Sequence, residues 1–509
     1  MARNVLFITV DQWRGDSLSC AGHPMVETPA IDALAARGVR FANHWANTAP
    51  CGPSRASIYT GMYMRNHRSV LNGTPLDARF TNIALEARAA GYDPVLFGYT
   101  DTSLDPRTLA ADDKRLWTYE SVLPGFRPVV HDPYEAGSLE WGKWLAGKGV
   151  DMPSNPRLLY EPDTSYPGAG EHGESWAPAK FGPDQTETAF MTEKVIEYLT
   201  EIGDAPFFVH VSYIRPHPPR RNPPGYHDLY AADDVPDFVA APDRDTERAA
   251  HMLNKVVMSI PFVAAPADER DRRQLRATYH CMQREVDDQL GRLFASLADA
   301  GLAESTLVVL TSDHGEMGGD HWLLEKLGYW DESYHVPLVV VDPTAEADAS
   351  RGSVFESFTE SVDVSPTVLD WLGIEVPLQM DGFPLTPFLR SGAAPESWRT
   401  EAHFEWDFRH PQLRIAESIL KVPSDHCWLA VIRTETFKYV EFAADAAVTP
   451  PLLFDLREDP GQLHDVSADP GRAELAWEGS RRLSQWAMRN TDRTLSNNLL
   501  SEYVGHVTH

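Results

Sequence analysis

Four stretches of this chain are apolar without alternation: Val5 to Val10, Phe207 to Tyr213, Thr306 to Ser312 and Leu338 to Val341. A strand that is apolar on successive residues has both faces covered, as the central strands of a parallel sheet do. A further run, Pro94 to Gly98, reads the same way. Between them the period changes to that of helices. Thr28-Pro29 opens a helix that Gly38 ends, another is predicted over 186–200, and a long one over 268–302 carries Leu275, Tyr279, Met282, Val286, Leu290 and Leu293 on one stripe. The alternation predicts an α/β fold, a large mixed and mostly parallel sheet sandwiched by helices. After about residue 390 short alternating runs (428–432, 437–442, 452–456) predict a small antiparallel sheet, followed by a helix over 473–488. The expected organisation is a large domain over 1–390, a small subdomain over 391–492 and a polar tail over 493–509 that reaches outward, to solvent or to a second subunit. The stretch 102–185 lacks periodicity and is rich in Pro, Gly, Asp and Trp. It is expected to be long loops that, with the tail, shape a pocket beside the sheet.

Each apolar run stops in polar residues: Asp11-Gln12, Tyr99-Thr100-Asp101, His217 within a proline-rich turn, and Asp313-His314-Gly315-Glu316. In α/β sheets the carboxyl ends of the strands are where ligands sit. Two carboxylates with an imidazole and an amide suit one divalent cation, Mn²⁺, Ca²⁺ or Mg²⁺. Cys51-Gly52-Pro53-Ser54-Arg55 reads as a helix entrance, with Pro53 in the first helical position and Cys51 at the positive end of the dipole. Taken singly, each has a plainer reading: Asp313 and His314 as turn residues, Cys51 as a buried capping residue or a thiol activated by the helix end and Arg55.

Charge narrows the partners. Lys and Arg number 45 against 74 Asp and Glu, a formal charge of -29. Such a chain repels nucleic acid and anionic membranes, so an anion site has to be made locally positive. The four cysteines show no metal-type spacing, and no apolar run has the length of a signal or membrane segment. The expectation is a cytoplasmic protein with no membrane anchor.

Cys51, Pro53, Ser54, Arg55, Thr60 and Gly61 fill the pattern C-x-P-S-R-x-x-x-x-T-G, which resembles the signature of the type I sulfatases of the alkaline phosphatase superfamily. Leu453-Phe454-Asp455-Leu456 with Asp459-Pro460 resembles their carboxy-terminal pattern. Asp11-Gln12-Trp13-Arg14, Asn66-His67-Arg68, Tyr213 to Pro219 and Trp398 to Glu401 resemble one subgroup, the phosphonate monoester hydrolases and the arylsulfatases close to them. The resemblance implies that a maturation enzyme oxidises Cys51 to formylglycine, whose hydrate is the nucleophile. It implies one divalent metal on Asp11, Asp313, His314 and residue 51, with Gln12 as a further ligand. Arg55 would steady the hydrate, and Asn72, Tyr99, His217 and Lys326 would contact the substrate's anionic group. The implied reaction is hydrolysis of sulfate monoesters, aryl sulfates foremost, through a covalent sulfo-enzyme hemiacetal, with activity on phosphonate monoesters and phosphodiesters. The alternative exchanges native and side activities. A different class, an unconverted Cys51 thiol enzyme or a non-catalytic metal-binding protein, stays open. The subgroup also implies a homo-oligomer, a dimer or tetramer. Asp101 departs from the subgroup, which commonly has threonine there. It is expected to be the base that takes the hydrate's second proton.

Overall fold

The computed structural model describes residues 3–508, apart from 204, 411, 497 and 504. Its main sheet has eight strands: β1 (Asn4–Val10), β2 (Val39–Trp45), β3 (Pro94–Gly98), β4 (Arg127–His131), β5 (Phe208–Tyr213), β6 (Thr306–Ser312), β7 (Leu338–Val341) and β8 (Ser353–Glu360). They lie in the order β4-β3-β5-β1-β6-β7-β2-β8. Only β7 runs against its neighbours.

β1, at the centre, shows why the strand is apolar throughout. Leu6, Ile8 and Val10 point to one face, against Val195 and Leu199 of the helix Glu187–Ile202 and Leu290 and Leu293 of the helix Glu269–Asp299. Val5 and Phe7 point to the other, against Ile58, Ile83, Val368 and Leu369 from the helices Cys51–Thr60, Ile83–Ala89 and Val364–Leu372. Each such side chain contributes roughly 1.5–3 kcal/mol when fully buried, so both faces are anchored and the strand ends are held in register.

The smaller sheet has four strands, β9 (Glu401–Asp407), β10 (Trp428–Thr434), β11 (Phe437–Phe442) and β12 (Leu452–Asp455), in the order β12-β11-β10-β9. The helix Ala473–Arg489 lays Leu483 and Trp486 on Ile432, Phe437 and Tyr439. The tail was expected to be a polar segment that reaches outward. Its described part pairs β13 (Asn498–Ser501) with β14 (Gly505–Thr508) in a hairpin, and Leu495, Leu499, Leu500 and Tyr503 are exposed. Among the described residues no helix is long and apolar enough to cross a membrane.

Candidate active site

Tyr99, Asp101, His217, Asp11, Asp313 and His314 follow four adjacent strands, β3-β5-β1-β6, whereas Cys51 and Arg55 lie on the helix Cys51–Thr60 after β2. Val10 lies opposite Ser312 in the parallel ladder, so Asp11 and Asp313 leave the sheet side by side. The Asp11 N–H donates to the Tyr213 carbonyl on β5 at 3.0 Å, which fixes where its side chain starts. Cys51 is the first residue of its helix, and Gly61 ends that helix with φ 65. Pro53 is therefore the third helical residue and not the first. Pro50 takes the extended cap position and its carbonyl receives the Ser54 N–H at 3.1 Å. A proline at the third position loses no bond, because the first N–H groups of a helix have no partner within it.

The donor atoms of Asp11, Cys51, Asp313 and His314 all lie within 4.8 Å of one another, and all four residues are buried. His314 Nε2 is 3.1 Å from Cys51 Sγ. Its Nδ1 faces the Gly315 carbonyl at 3.1 Å. Nδ1 is then the protonated nitrogen, and the Nε2 lone pair points at the cluster, as in a metal-ligating histidine. Gly315 is required by contact: a Cβ there would fall 2.0 Å from the Glu332 carbonyl oxygen.

Arg55 is fully buried and serves both carboxylates. Its Nη2 is 3.0 Å from Asp11 Oδ2, its Nε 2.9 Å from Asp313 Oδ2, and its Nη1 donates to Ser212 Oγ at 2.7 Å. Tyr99 stacks beneath it, 4.3 Å from ring centroid to guanidinium, and donates its hydroxyl to Asp11 Oδ2 at 2.5 Å. Thus Arg55 and Tyr99 both act on the carboxylates. One guanidinium does not neutralise this site. Burial and Asp313 push the Asp11 carboxyl up in spite of Arg55. Burial raises Asp313 too, but His314 and Arg55 outweigh it and hold that carboxyl below its usual range. Hard oxygen donors, a correctly presented imidazole nitrogen and a shortage of positive charge fit a divalent cation.

Lys326 reaches Gln12 Oε1 with its Nζ at 2.7 Å and Glu325 at 3.3 Å. Gln12 has φ 69, and its side-chain nitrogen bonds Glu316. Glu316, fully buried, also takes Arg220 at 2.6 Å and the N–H groups of Gly318 and Glu325 at 2.7 and 2.9 Å. This set orients the Gln12 amide with its oxygen toward Lys326. Asn72 accepts the Gly52 N–H at 2.8 Å, beside residue 51. His217 donates Nδ1–H to the Pro218 carbonyl at 2.8 Å; burial, then Lys326, brings its imidazole down to about 3, so it is uncharged near neutrality. Asp101 is buried with φ 48, its Oδ2 3.7 Å from Arg55 Nε. Burial pushes its carboxyl well up, with Glu120, Asp11 and Asp313 adding to that and Arg55 opposing it.

Glu316, Ser212 and Glu120 were not singled out in the sequence as site residues. Glu316 follows the Asp313-His314-Gly315 turn directly, and Ser212 alternates with Val211 and Tyr213 at a strand end; both positions were readable. Glu120 comes from the aperiodic 102–185 stretch, where no pattern marks it.

An eight-stranded α/β sheet with buried carboxylates, imidazole and cysteine gathered at its strand ends defines a hydrolase of the alkaline phosphatase superfamily. The sulfatase family model matches residues 3–374, and that of the N-sulphoglucosamine sulphohydrolase carboxy-terminal region matches 319–489. The chain belongs to the sulfatase family. The multifunctional alkaline phosphatase superfamily protein PehA of Trinickia caryophylli is 40% identical over 512 residues, 97% of either chain. The structure of a phosphonate monoester hydrolase of Agrobacterium radiobacter superposes with TM-score 0.93 at 43% identity, covering 100% of this chain and 99% of that one. The phosphonate monoester hydrolase SpPMH of Silicibacter pomeroyi gives 0.92 at 38%, covering 100% and 99%. This protein is a hydrolase acting on sulfate or phosphonate esters.

Proposed function

We propose that the chain is a metal-dependent formylglycine hydrolase that cleaves sulfate monoesters, aryl sulfates foremost, and also turns over phosphonate monoesters and phosphodiesters. The observation that carries this is the buried set Asp11, Cys51, Asp313 and His314, gathered within 4.8 Å at a helix amino terminus. Those residues would hold one divalent cation, Mn²⁺, Ca²⁺ or Mg²⁺, with Gln12 Oε1 as a further ligand. When present, the cation and a hydrated formylglycine at position 51 supply Lewis acidity and a nucleophile with a second, removable hydroxyl proton. The remaining chemistry belongs to the chain. Lys326 and Asn72 bind the anionic group and stabilise charge that grows on its oxygens, and His217 joins them once its Nε2 takes up a proton beside the bound anion. Arg55 and Tyr99 hold Asp11 and Asp313 in place. Asp101 accepts the proton whose loss releases the bound group. An unconverted thiol nucleophile fits less well, because burial and Asp11 push the Cys51 thiol well above its ordinary range.

The partners we propose are a small anionic ester, a formylglycine-generating maturation enzyme and further copies of this chain, in a dimer or tetramer. The exposed Leu499, Leu500 and Tyr503 of the tail hairpin support self-association. We place the protein in the cytoplasm, in keeping with its four free cysteines.

The test is kcat/KM for a nitrophenyl sulfate against the matching nitrophenyl phenylphosphonate. A higher value for the sulfate supports the reading. The reverse order selects phosphonate monoester hydrolysis as the native activity, a second reading favoured by the relatives at 43% and 38% identity. Failure of metal-loaded, aldehyde-bearing protein on both esters contradicts both.

A further inference from the structure

A cavity of about 560 Å³ adjoins the cluster. Three of its walls are neighbours of site residues. Pro50 precedes Cys51, Leu327 follows Lys326, and Asn72 is the residue whose oxygen holds the Gly52 N–H. The rest is built from 71–74, 256–260 and 406–416, and not from the 102–185 loops or the tail expected to shape the pocket. Trp406 and Phe408, both buried in the core beneath, close one side of it, with ring centroids 5.3 Å apart and planes tilted by 48°. Leu71 and Ile260 add aliphatic surface.

The charge on the wall is already matched. Asp407 takes the Arg409 Nε on both oxygens at 2.8 Å, and Arg409 Nη1 lies 3.0 Å from Asp425. Among the described lining residues Arg409 is therefore not left to attract a second anionic group, nor Asp407 to attract a quaternary ammonium. A volume of this size engulfs a ligand of several rings, and a single phenyl ring would leave most of it to water.

We infer that this cavity receives the alcohol portion of the ester, and that the leaving group is a neutral aryl group of two or more fused or linked rings. This rests on reading the strand-end cluster as the ester-cleaving centre. Only the uncovered edges of this buried aromatic pair reach the cavity, so such rings would meet them edge-on, one of the arrangements that aromatic groups favour. Asn72 and Thr74 supply the few polar atoms that orient them.

The experiment has a binding arm that needs neither the aldehyde nor the metal. Calorimetric titration of the full-length protein as purified, and of Cys51→Ala, with 4-phenylphenol is expected to show binding of similar affinity to both. Ile260→Trp, which fills the cavity from its half-buried wall, is expected to weaken that binding tenfold or more, and so is Trp406→Ala, which removes the buried ring that closes one side of it. In the kinetic arm, kcat/KM for 4-phenylphenyl sulfate over phenyl sulfate is expected to exceed tenfold and to fall toward one in Ile260→Trp. Absent binding, a ratio near one in the unmodified protein, or a preference for choline sulfate over both aryl esters overturns the inference. Binding of 4-phenylphenol with no hydrolysis of any ester leaves the aryl site standing and removes the hydrolase reading on which its role rests.

Discussion

The strand-end cluster and the cavity beside it are built by opposite means. Asp11, Arg55 and Asp313 are tied to one another by charge-assisted bonds and His314 is fixed by the Gly315 carbonyl, all buried, on strands and a helix anchored in the two main cores. The cavity is walled largely by apolar side chains, Leu71, Val256, Ile260, Leu327 and Trp406 among them, brought together from separate segments of the chain. The difference teaches where change is tolerated. Chemistry is fixed by over-determined charges, whereas the choice of leaving group is set by surfaces that can be resized.

The harshest way to break the contrast is Arg55→Met. It leaves Asp11 and Asp313 buried without their shared partner, and the loss of one member of a buried ion pair costs about 3–5 kcal/mol. Chemical denaturation should show that loss, together with abolished turnover. Asp101→Asn tests the proton acceptor. The first, ester-cleaving burst should persist while steady-state turnover stalls, and unchanged steady-state rates would remove Asp101 from that role.

Next comes a pH effect at the edge of the site. Burial raises the Glu120 carboxyl from the usual 4.5 to about 7. Between those values the unfolded chain releases a proton that the folded chain keeps, so stability should fall as pH rises across that window, then level off. The slope integrates to about 3 kcal/mol. Glu120→Gln should reduce the fall by that amount in denaturation curves recorded from pH 4 to 8, leaving the shares of Asp132 and Asp287, which burial also raises to about 7. The mildest change is Leu71→Ala on the half-buried cavity wall. It should cost about 1 kcal/mol or less of stability and move KM for aryl esters more than the burst.

The same contrast explains what could be read from the sequence. β1, β5, β6 and β7 were legible because each is apolar on both faces, and Asp11, Asp313 and His314 followed as the residues that end them. The helix entrance was legible through Pro53 and Arg55, two residues out in its start because Pro50 supplies the cap. β4 was not, because its first residues are exposed at the sheet edge, where packing imposes no apolar pattern. β9 was not, because its Glu401, His403 and Glu405 are buried on charged partners, Arg482, Glu360 and Arg65, and so read as polar surface. The cavity was illegible for a simpler reason. Leu71, Ile260 and Trp406 become neighbours only through the tertiary fold, and nothing in their local sequence separates a cavity wall from a core.

The central claim is that residue 51 is an aldehyde hydrate set against Asp11, Asp313 and His314. The mass of the proteolytic peptide containing residue 51, taken from catalytically active protein, tests it most directly. The account predicts the mass of formylglycine, with reactivity toward aldehyde reagents. Quantitative alkylation of a Cys51 thiol by iodoacetamide in a preparation that turns over its ester at full rate would contradict it.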